Sequence, residues 1–389
     1  MTADARARTG LWLVGARGSV GTTAALGLAA LAGGHAGAAG CVTAAPAFAG
    51  LPLPGWGDLV VGGHDVSDVS LAKRAEALVD AGMIPAPLLA ATAHALDVAD
   101  AEVRPGHRGP LVPGGSQQQV AERLAGDITL FAERHGLARV VVVDVSSTEP
   151  PAHPSPAHDD PAVLAAAVRE PGRVVLPPSS VAAYAAVLAG AAYAGFTPSA
   201  GMGLPALRAL AAEAGVPVAG QDGKTGQTWL RTVLAPAFAD RGLRVLSWAG
   251  TNLLGGGDGA TLADPEAVRS KLASKTRGLR DLTGTDVTPL HIDHVPDLGD
   301  VKVAWDHVHA EGFLGSRITL QTTWSAYDSM LAAPMVLDLV RLLALAQAGG
   351  VAGVVPELGF FFKDPWGSDR HAAADQAGDL VRWAQGLAA

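Results

Sequence analysis

The chain has 389 residues, 49% of them hydrophobic and 17% charged, which excludes a disordered polymer and suffices for two or three domains of about 150 residues. A formal net charge of −9 lacks the basic footprint of a phosphate-backbone reader, so nucleic acid is not an expected partner. The one cysteine, Cys41, can form no internal disulfide, CxxC redox pair or thiolate metal site, and a reducing compartment is the default.

In chain order, Arg6 and Arg8 precede an alanine-rich run to Ala39 that imitates a signal peptide. Arg17 interrupts the run, glycines recur at Gly15, Gly18 and Gly21, and no charge-free stretch of about 18 strongly apolar residues follows. A cytoplasmic chain with no membrane partner is the expectation. The pattern then predicts strands at Leu11 to Gly15, Asp58 to Gly62, Arg139 to Val145 and Val216 to Ala219. Helices fit Ser19 to Ala32, Ser70 to Ala81, Gln117 to His135, Ser180 to Ala194 and Leu204 to Ala214. Strands alternating with helices predict an α/β fold with a parallel, doubly wound sheet. Loops rich in Pro, Gly, Asp and His fall at Pro46 to Gly57, Pro105 to Gly115 and Glu149 to Pro161.

After Gly226 the character changes: a helix Gln227 to Asp240, a strand Leu243 to Trp248, a Gly-rich loop Gly255 to Gly259, and strands near Pro289 to Val295 and Arg317 to Thr323. Polar–apolar alternation in the later strands predicts a second domain whose sheet has one face free or packed on a partner. A long helix Ser329 to Ala348, the stretch Val354 to Phe362 and a closing helix Arg370 to Leu387 complete the chain.

Four places carry chemistry. Gly15-Ala16-Arg17-Gly18-Ser19-Val20-Gly21 lies between a strand and a helix, where bare backbone and the helix N-terminus accept a dinucleotide diphosphate. Its GxxGxxG spacing departs from GxGxxG, so a tight packing turn is the other reading. Asp65, in Gly62-Gly63-His64-Asp65-Val66-Ser67-Asp68, is placed to hold ribose hydroxyls, while Asp68 is the better N-cap for the next helix. Gly220 to Thr228 repeats the strand–turn–helix arrangement with hydroxyls at Thr225 and Thr228; it makes a phosphate cradle or a simple cap, and is no Walker A loop. Lys271, Lys275, Lys302 and Lys363 stand out because lysine is scarce. Lys271 and Lys275, four apart on a helix, repel unless an anion lies between them. Lys363, after three phenylalanines, either reaches water or lies desolvated with a lowered pKa suited to proton transfer. Singly, each lysine also reads as a solvated surface residue. His291, Asp293, His294, Asp306, His307 and His309 imitate a metal cluster, but His291 and His294 point to opposite faces of a strand, so no metal is expected.

As a set, these motifs resemble the myo-inositol-1-phosphate synthase (inositol-3-phosphate synthase) family. Leu13-Val14-Gly15, the segment Gly62 to Asp68, Gly220 to Thr228, Thr251 to Gly259, Arg269-Ser270-Lys271 with Ser274-Lys275, Gly299-Asp300-Val301-Lys302, Asp328 to Pro334 and Lys363-Asp364-Pro365 stand in family order over nearly the whole chain. The resemblance implies an NAD-binding Rossmann-type domain, 9–228 and 330–389, interrupted by an α+β catalytic and oligomerisation domain at 229–329, in a homotetramer. It implies that NAD oxidises C5 of glucose 6-phosphate, that the enolate formed at C6 attacks the C1 aldehyde, and that the C5 ketone is then reduced. Lys271, Lys302, Lys363 and Lys275 correspond to the catalytic lysines, with Asp222, Asn252, Asp258 and Asp300 as their polar partners. Gly15, Gly18, Ser19, Val20, Gly21, Asp65, Ser147 and Asp328 correspond to the cofactor site. Thr225, Gly226, Gln227, Thr228 and Lys275 correspond to the substrate-phosphate site.

The chain departs from that pattern at Gly256 (usually asparagine), His64 (tryptophan), Gly223 (a larger apolar residue), Tyr327 (an acidic one) and Asp364 (a small one). These departures put the sugar in question: fructose 6-phosphate closed to a five-membered carbocycle would use the same logic. A non-catalytic NAD-binding scaffold and a simple NAD dehydrogenase are the alternatives of another class.

Overall fold

The structure is a computed structural model that describes residues 7–255, 279–285 and 290–388. Two short strands, β1 (Thr9–Val14) and β4 (Arg139–Asp144), consist almost wholly of branched and aromatic apolar residues and are buried along nearly their whole length. Such strands suit the middle of a parallel sheet covered on both faces. β1 pairs in parallel with β4 on one side and with β2 (Leu59–Asp65) on the other, and β3 (Val103–Pro105) forms that edge. β5 (Ala192–Gly195), β6 (Pro217–Gly220) and β11 (Gly353–Val354) extend the opposite side, for a sheet order β11-β6-β5-β4-β1-β2-β3. The order reverses between β1 and β4, where open α/β sheets take their ligands.

Alternate residues of the central strands feed two cores. Leu11, Leu13, Val141 and Val143 pack beneath α1 (Ser19–Ala32) and the long helix α9 (Asp328–Ala348). Trp12, Val140 and Val142 pack on the other face against α4 (Gln117–His135), α5 (Pro161–Ala167), α6 (Pro178–Leu188) and α7 (Pro205–Glu213). Each such side chain contributes about 1.5–3 kcal/mol of burial. Helices α2 (Leu71–Asp80) and α3 (Ala86–Asp100) cover the outer flank of α1 through Leu71, Leu78 and Leu96. α9 is long and apolar enough to cross a membrane, but its apolar side chains fill this core.

The expected helix Ser180 to Ala194 is a correction. It ends at Leu188; Gly190 turns the chain with φ +65, and Ala192–Gly195 becomes fully buried β5. Alanine is a strong helix former, but propensity is a weak prior and pairing with β4 and β6 overrides it. α3, β3 and β11 were not expected either.

Between β6 and α9 runs a second unit. α8 (Gln227–Asp240) leads to β7 (Arg244–Leu254), β8 (Leu290–His294), β9 (Val301–Glu311) and β10 (Arg317–Tyr327), in a sheet of order β10-β9-β7-β8. β9, unforeseen, is central and antiparallel to both β7 and β10. β10 passes directly into α9 at Asp328, and α10 (Ala373–Ala388) closes the chain.

Candidate functional site

The glycine turn after β1 separates the two readings of its sequence. Gly15 has φ +84, and a Cβ there would lie 2.8 Å from Ser146 Cα, so β1 turns against the loop that follows β4. A Cβ on Gly21 would lie 2.4 Å from the Ala16 carbonyl oxygen, so α1 packs onto its own entry turn. Those two glycines serve close packing. Gly18 is the N-cap of α1 without a capping side chain, no acidic residue follows in the first turn, and Gly18, Ser19 and Val20 face a cavity of about 410 Å³. Bare amides at a helix N-terminus suit an anion. The turn therefore fits the diphosphate of a dinucleotide.

Asp65 ends β2 and lines an adjoining cavity of about 550 Å³ with Gly15, Gly18 and Ser147. Its Oδ2 accepts the Arg17 amide at 2.6 Å and its Oδ1 the Ser67 amide at 2.7 Å, leaving a further lone pair on each oxygen for ribose hydroxyls. The helix cap expected of Asp68 falls instead to Ser70, whose hydroxyl accepts the Lys73 amide. His64, buried, lines this cavity too. The Trp12 indole donates to its Nδ1 at 2.9 Å, which leaves the proton on Nε2 facing Asp127 at 3.1 Å, and burial lowers its pKa.

The reaction end is held by backbone pairing. The amide of Gln221 donates to the Asp364 carbonyl at 2.8 Å, that of Lys363 to the Asp222 carbonyl at 2.8 Å, and that of Lys224 to the Phe361 carbonyl at 2.8 Å. This ladder brings the Lys363 ammonium to 2.9 Å from Asp222 Oδ1, with both side chains 7% exposed. Asp222 has φ +61, and its buried Oδ2 meets no donor among the described residues. Opposite, Lys302 at the start of β9 lies 3.3 Å from both oxygens of Asp328, which also accepts the Thr225 hydroxyl at 2.8 Å. Lys302, Lys363, Asp222, Asp300, Asp328 and Thr225 line the same 410 Å³ cavity as the N-terminus of α1. Lys271, Lys275 and Asp258 lie outside the described residues, as does Gly256.

Other expected residues turn inward. Asn252 on β7 donates to Gln227 Oε1 at 2.7 Å, and Gln227 donates to Asp306 Oδ2 at 2.8 Å. Asp306 Oδ1 accepts Arg231 Nε at 2.9 Å and the Trp248 indole at 2.8 Å, all in buried surroundings. The Gln227 side chain thus supports the loop from behind; Gly226 caps α8 and Thr228 is half-buried in its first turn. Asp306 belongs to this network, while His291 and His294 are exposed on β8, across β7 from His307 and His309. Among the described residues no three His, Cys, Asp or Glu side chains gather around a metal-sized space.

Sequence reasoning missed four residues. The strongly desolvated lysine is Lys224, whose Nζ donates to Gln376 Oε1 at 2.5 Å and whose pKa burial lowers to about 7. Asp144, at the end of β4, accepts the Ser146 amide and hydroxyl and the Tyr193 hydroxyl, and burial raises its pKa. Glu149, raised likewise by burial, accepts the Ser179 amide and hydroxyl. Both brace the wall Ser146 to Thr148. Arg74 on α2, beside Lys73 in the sequence, lines both cavities.

A family model for NAD-binding proteins, described as myo-inositol-1-phosphate synthase, matches residues 9–384. Inositol-3-phosphate synthase 1 of Bacteroides thetaiotaomicron is 34% identical over 262 residues, covering 65% of this chain and 61% of its own. The rat protein of that name is 31% identical over 356 residues, covering 82% of this chain and 62% of its own. The chain therefore spans about three-fifths of the length of these curated relatives. The solved inositol-3-phosphate synthase of Caenorhabditis elegans superposes with a TM-score of 0.86 at 24% identity, over 98% of this chain and 86% of that one. A myo-inositol-1-phosphate synthase-related protein of Thermotoga maritima gives 0.76 at 24% identity, over 97% and 98%. NAD is accordingly the dinucleotide that fits the turn after β1, and the chain belongs to the myo-inositol-1-phosphate synthase family.

Proposed function

We propose that the chain catalyses an NAD-dependent, redox-neutral cyclisation of a hexose 6-phosphate, glucose 6-phosphate to a myo-inositol phosphate, by oxidation, enolisation, intramolecular aldol closure and reduction. The observation that carries this reading is the meeting of Lys302 and Lys363, each held by a carboxylate, on one cavity with the N-terminus of α1. Two relatives named inositol-3-phosphate synthase support the same product. NAD, when bound, supplies the acceptor and then the donor of one hydride. Lys363 offers an ammonium in a wall nearly closed to water, where positive charge beside a forming oxyanion is worth more than in solvent. Lys302 holds a proton at Nζ, oriented by Asp328. Thr225 and the first amides of α8 receive the phosphate. Asp222 holds the Lys363 ammonium in place through Oδ1. In this reading Lys271 serves as a further catalytic lysine and Lys275 as a cationic ligand of the phosphate. In the same reading 9–228 and 330–389 form the NAD-binding domain, 229–329 the catalytic insertion, and the chain acts as a cytoplasmic homotetramer.

One observation favours a second reading, fructose 6-phosphate closed to a five-membered ring. Gly223 leaves no space for a side chain, because a Cβ there would lie 2.3 Å from the Phe196 ring, and Phe196 forms the cavity wall instead. Incubation of the purified protein and NAD with each sugar phosphate, with the product identified by NMR, tests both. A six-membered carbocycle from glucose 6-phosphate is the expected result, a five-membered one from fructose 6-phosphate selects the second reading, and no carbocycle from either removes both.

A further inference from the structure

The two cavities meet along one wall: Gly18, Arg74, Val145, Ser146 and Ser147 face both. Whatever extends from one cavity into the other crosses there, at the bare amide end of α1. A diphosphate at that crossing carries two negative charges, and a helix N-terminus offers only about half a positive charge. The arginine inside the glycine turn, Arg17, is not free to supply the rest. Its Nε and Nη2 hold Asp100 at 2.8 and 3.0 Å, and its Nη1 holds the Ser67 carbonyl at 2.9 Å. Lys302 and Lys363 line the reaction cavity alone and are paired with carboxylates; Arg108 lines the other cavity alone. Arg74 is different. Its Nε donates to the Arg17 carbonyl at 3.0 Å, which fixes the guanidinium plane, and among the described residues its terminal nitrogens meet no carboxylate.

We propose that Arg74 is the cationic partner of the dinucleotide diphosphate, and that Arg17 is a brace that ties the glycine turn to α3. The inference rests on the NAD reading of these cavities. A guanidinium anchored through Nε keeps both terminal nitrogens for bidentate recognition of phosphate oxygens.

The test is calorimetric titration of the whole chain, and of Arg74→Gln and Arg74→Lys, with ADP-ribose, adenosine and glucose 6-phosphate, each at low and high salt. A charge-assisted hydrogen bond is worth about 1.5–3 kcal/mol, so Arg74→Gln should weaken ADP-ribose roughly tenfold or more. The variant should also flatten the salt dependence, leave adenosine within about twofold, and be partly rescued in Arg74→Lys, because only a charge–phosphate contact is screened by salt. Unchanged ADP-ribose affinity overturns the proposal, as does equal weakening of adenosine or a loss confined to glucose 6-phosphate. Failure of the wild-type protein to bind ADP-ribose or NAD would instead overturn the cofactor reading beneath it.

Discussion

Three lysines show how one side-chain type takes different work from its surroundings. Lys302 faces the cavity beside half-exposed Asp328, so Lys302→Ala removes a charge without stranding a buried one. It should lower turnover by roughly a hundredfold or more with little change in melting temperature; near-normal turnover would remove Lys302 from the chemistry. Lys363→Ala leaves Asp222 buried and unpaired, and should also lower stability by about 3–5 kcal/mol. Lys224 reports in another way. Its folded pKa, about 7, lies below the ordinary 10.5, so between those values the unfolded chain holds a proton that the folded one lacks. Stability from this residue is complete above 10.5 and is lost as pH falls through 7. Relative to Lys224→Met, the wild type should lose about 1.4 kcal/mol per unit as pH falls from 9 to 7, followed by urea denaturation; a constant difference would deny the shift. The sequence singled out Lys302 and Lys363 because lysine is scarce. It could not single out Lys224, whose direction follows from the pairing of Gly223 with Phe362.

At the scale of elements, legibility tracked local signals. α4 runs from Gln117 to His135 as predicted, because Ser116 and Gln119 form a capping box and Gly136 closes the helix at φ +58. β5 was hidden because Ala-Tyr-Ala-Gly becomes a strand only between β4 and β6. Also invisible was the fastening of the loop before β2. Asp338, in the middle of α9, accepts the amides of Val42 and Thr43 at 2.6 and 3.0 Å, and Arg341 lies 4.2 Å over the Trp56 ring while donating to the Pro54 carbonyl. An acid in an apolar helix reads as an interruption until its partners, nearly three hundred residues away, are known. Asp338→Ala strands those donors and should cost about 2–4 kcal/mol. Amide hydrogen exchange should accelerate at residues 42–48 and not in β4; unaltered exchange there would show that the loop is held otherwise.

For the whole molecule, the parallel, doubly wound character of the large sheet followed from alternating strand and helix patterns, whereas its order, with β3, β5 and β11 unforeseen, did not. The small sheet was half legible, since β9 was masked by its histidines and charges. Its importance is that it supplies Lys302 while the large sheet's loops supply Asp222 and Lys363. The proposed redox-neutral cycle draws on residues of both sheets, and carries a signature at this scale. In the NMR incubations, absorbance of reduced nicotinamide should stay near baseline while carbocycle accumulates; a steady rise matching product would identify a net dehydrogenase. The passage from β10 to α9 adds a mechanical corollary. Tyr327 ends a strand and Asp328 begins a helix with no slack chain between them, so the carboxylate that grips Lys302 sits at the fulcrum of a stiff lever. A displacement of β10 therefore carries that carboxylate with it.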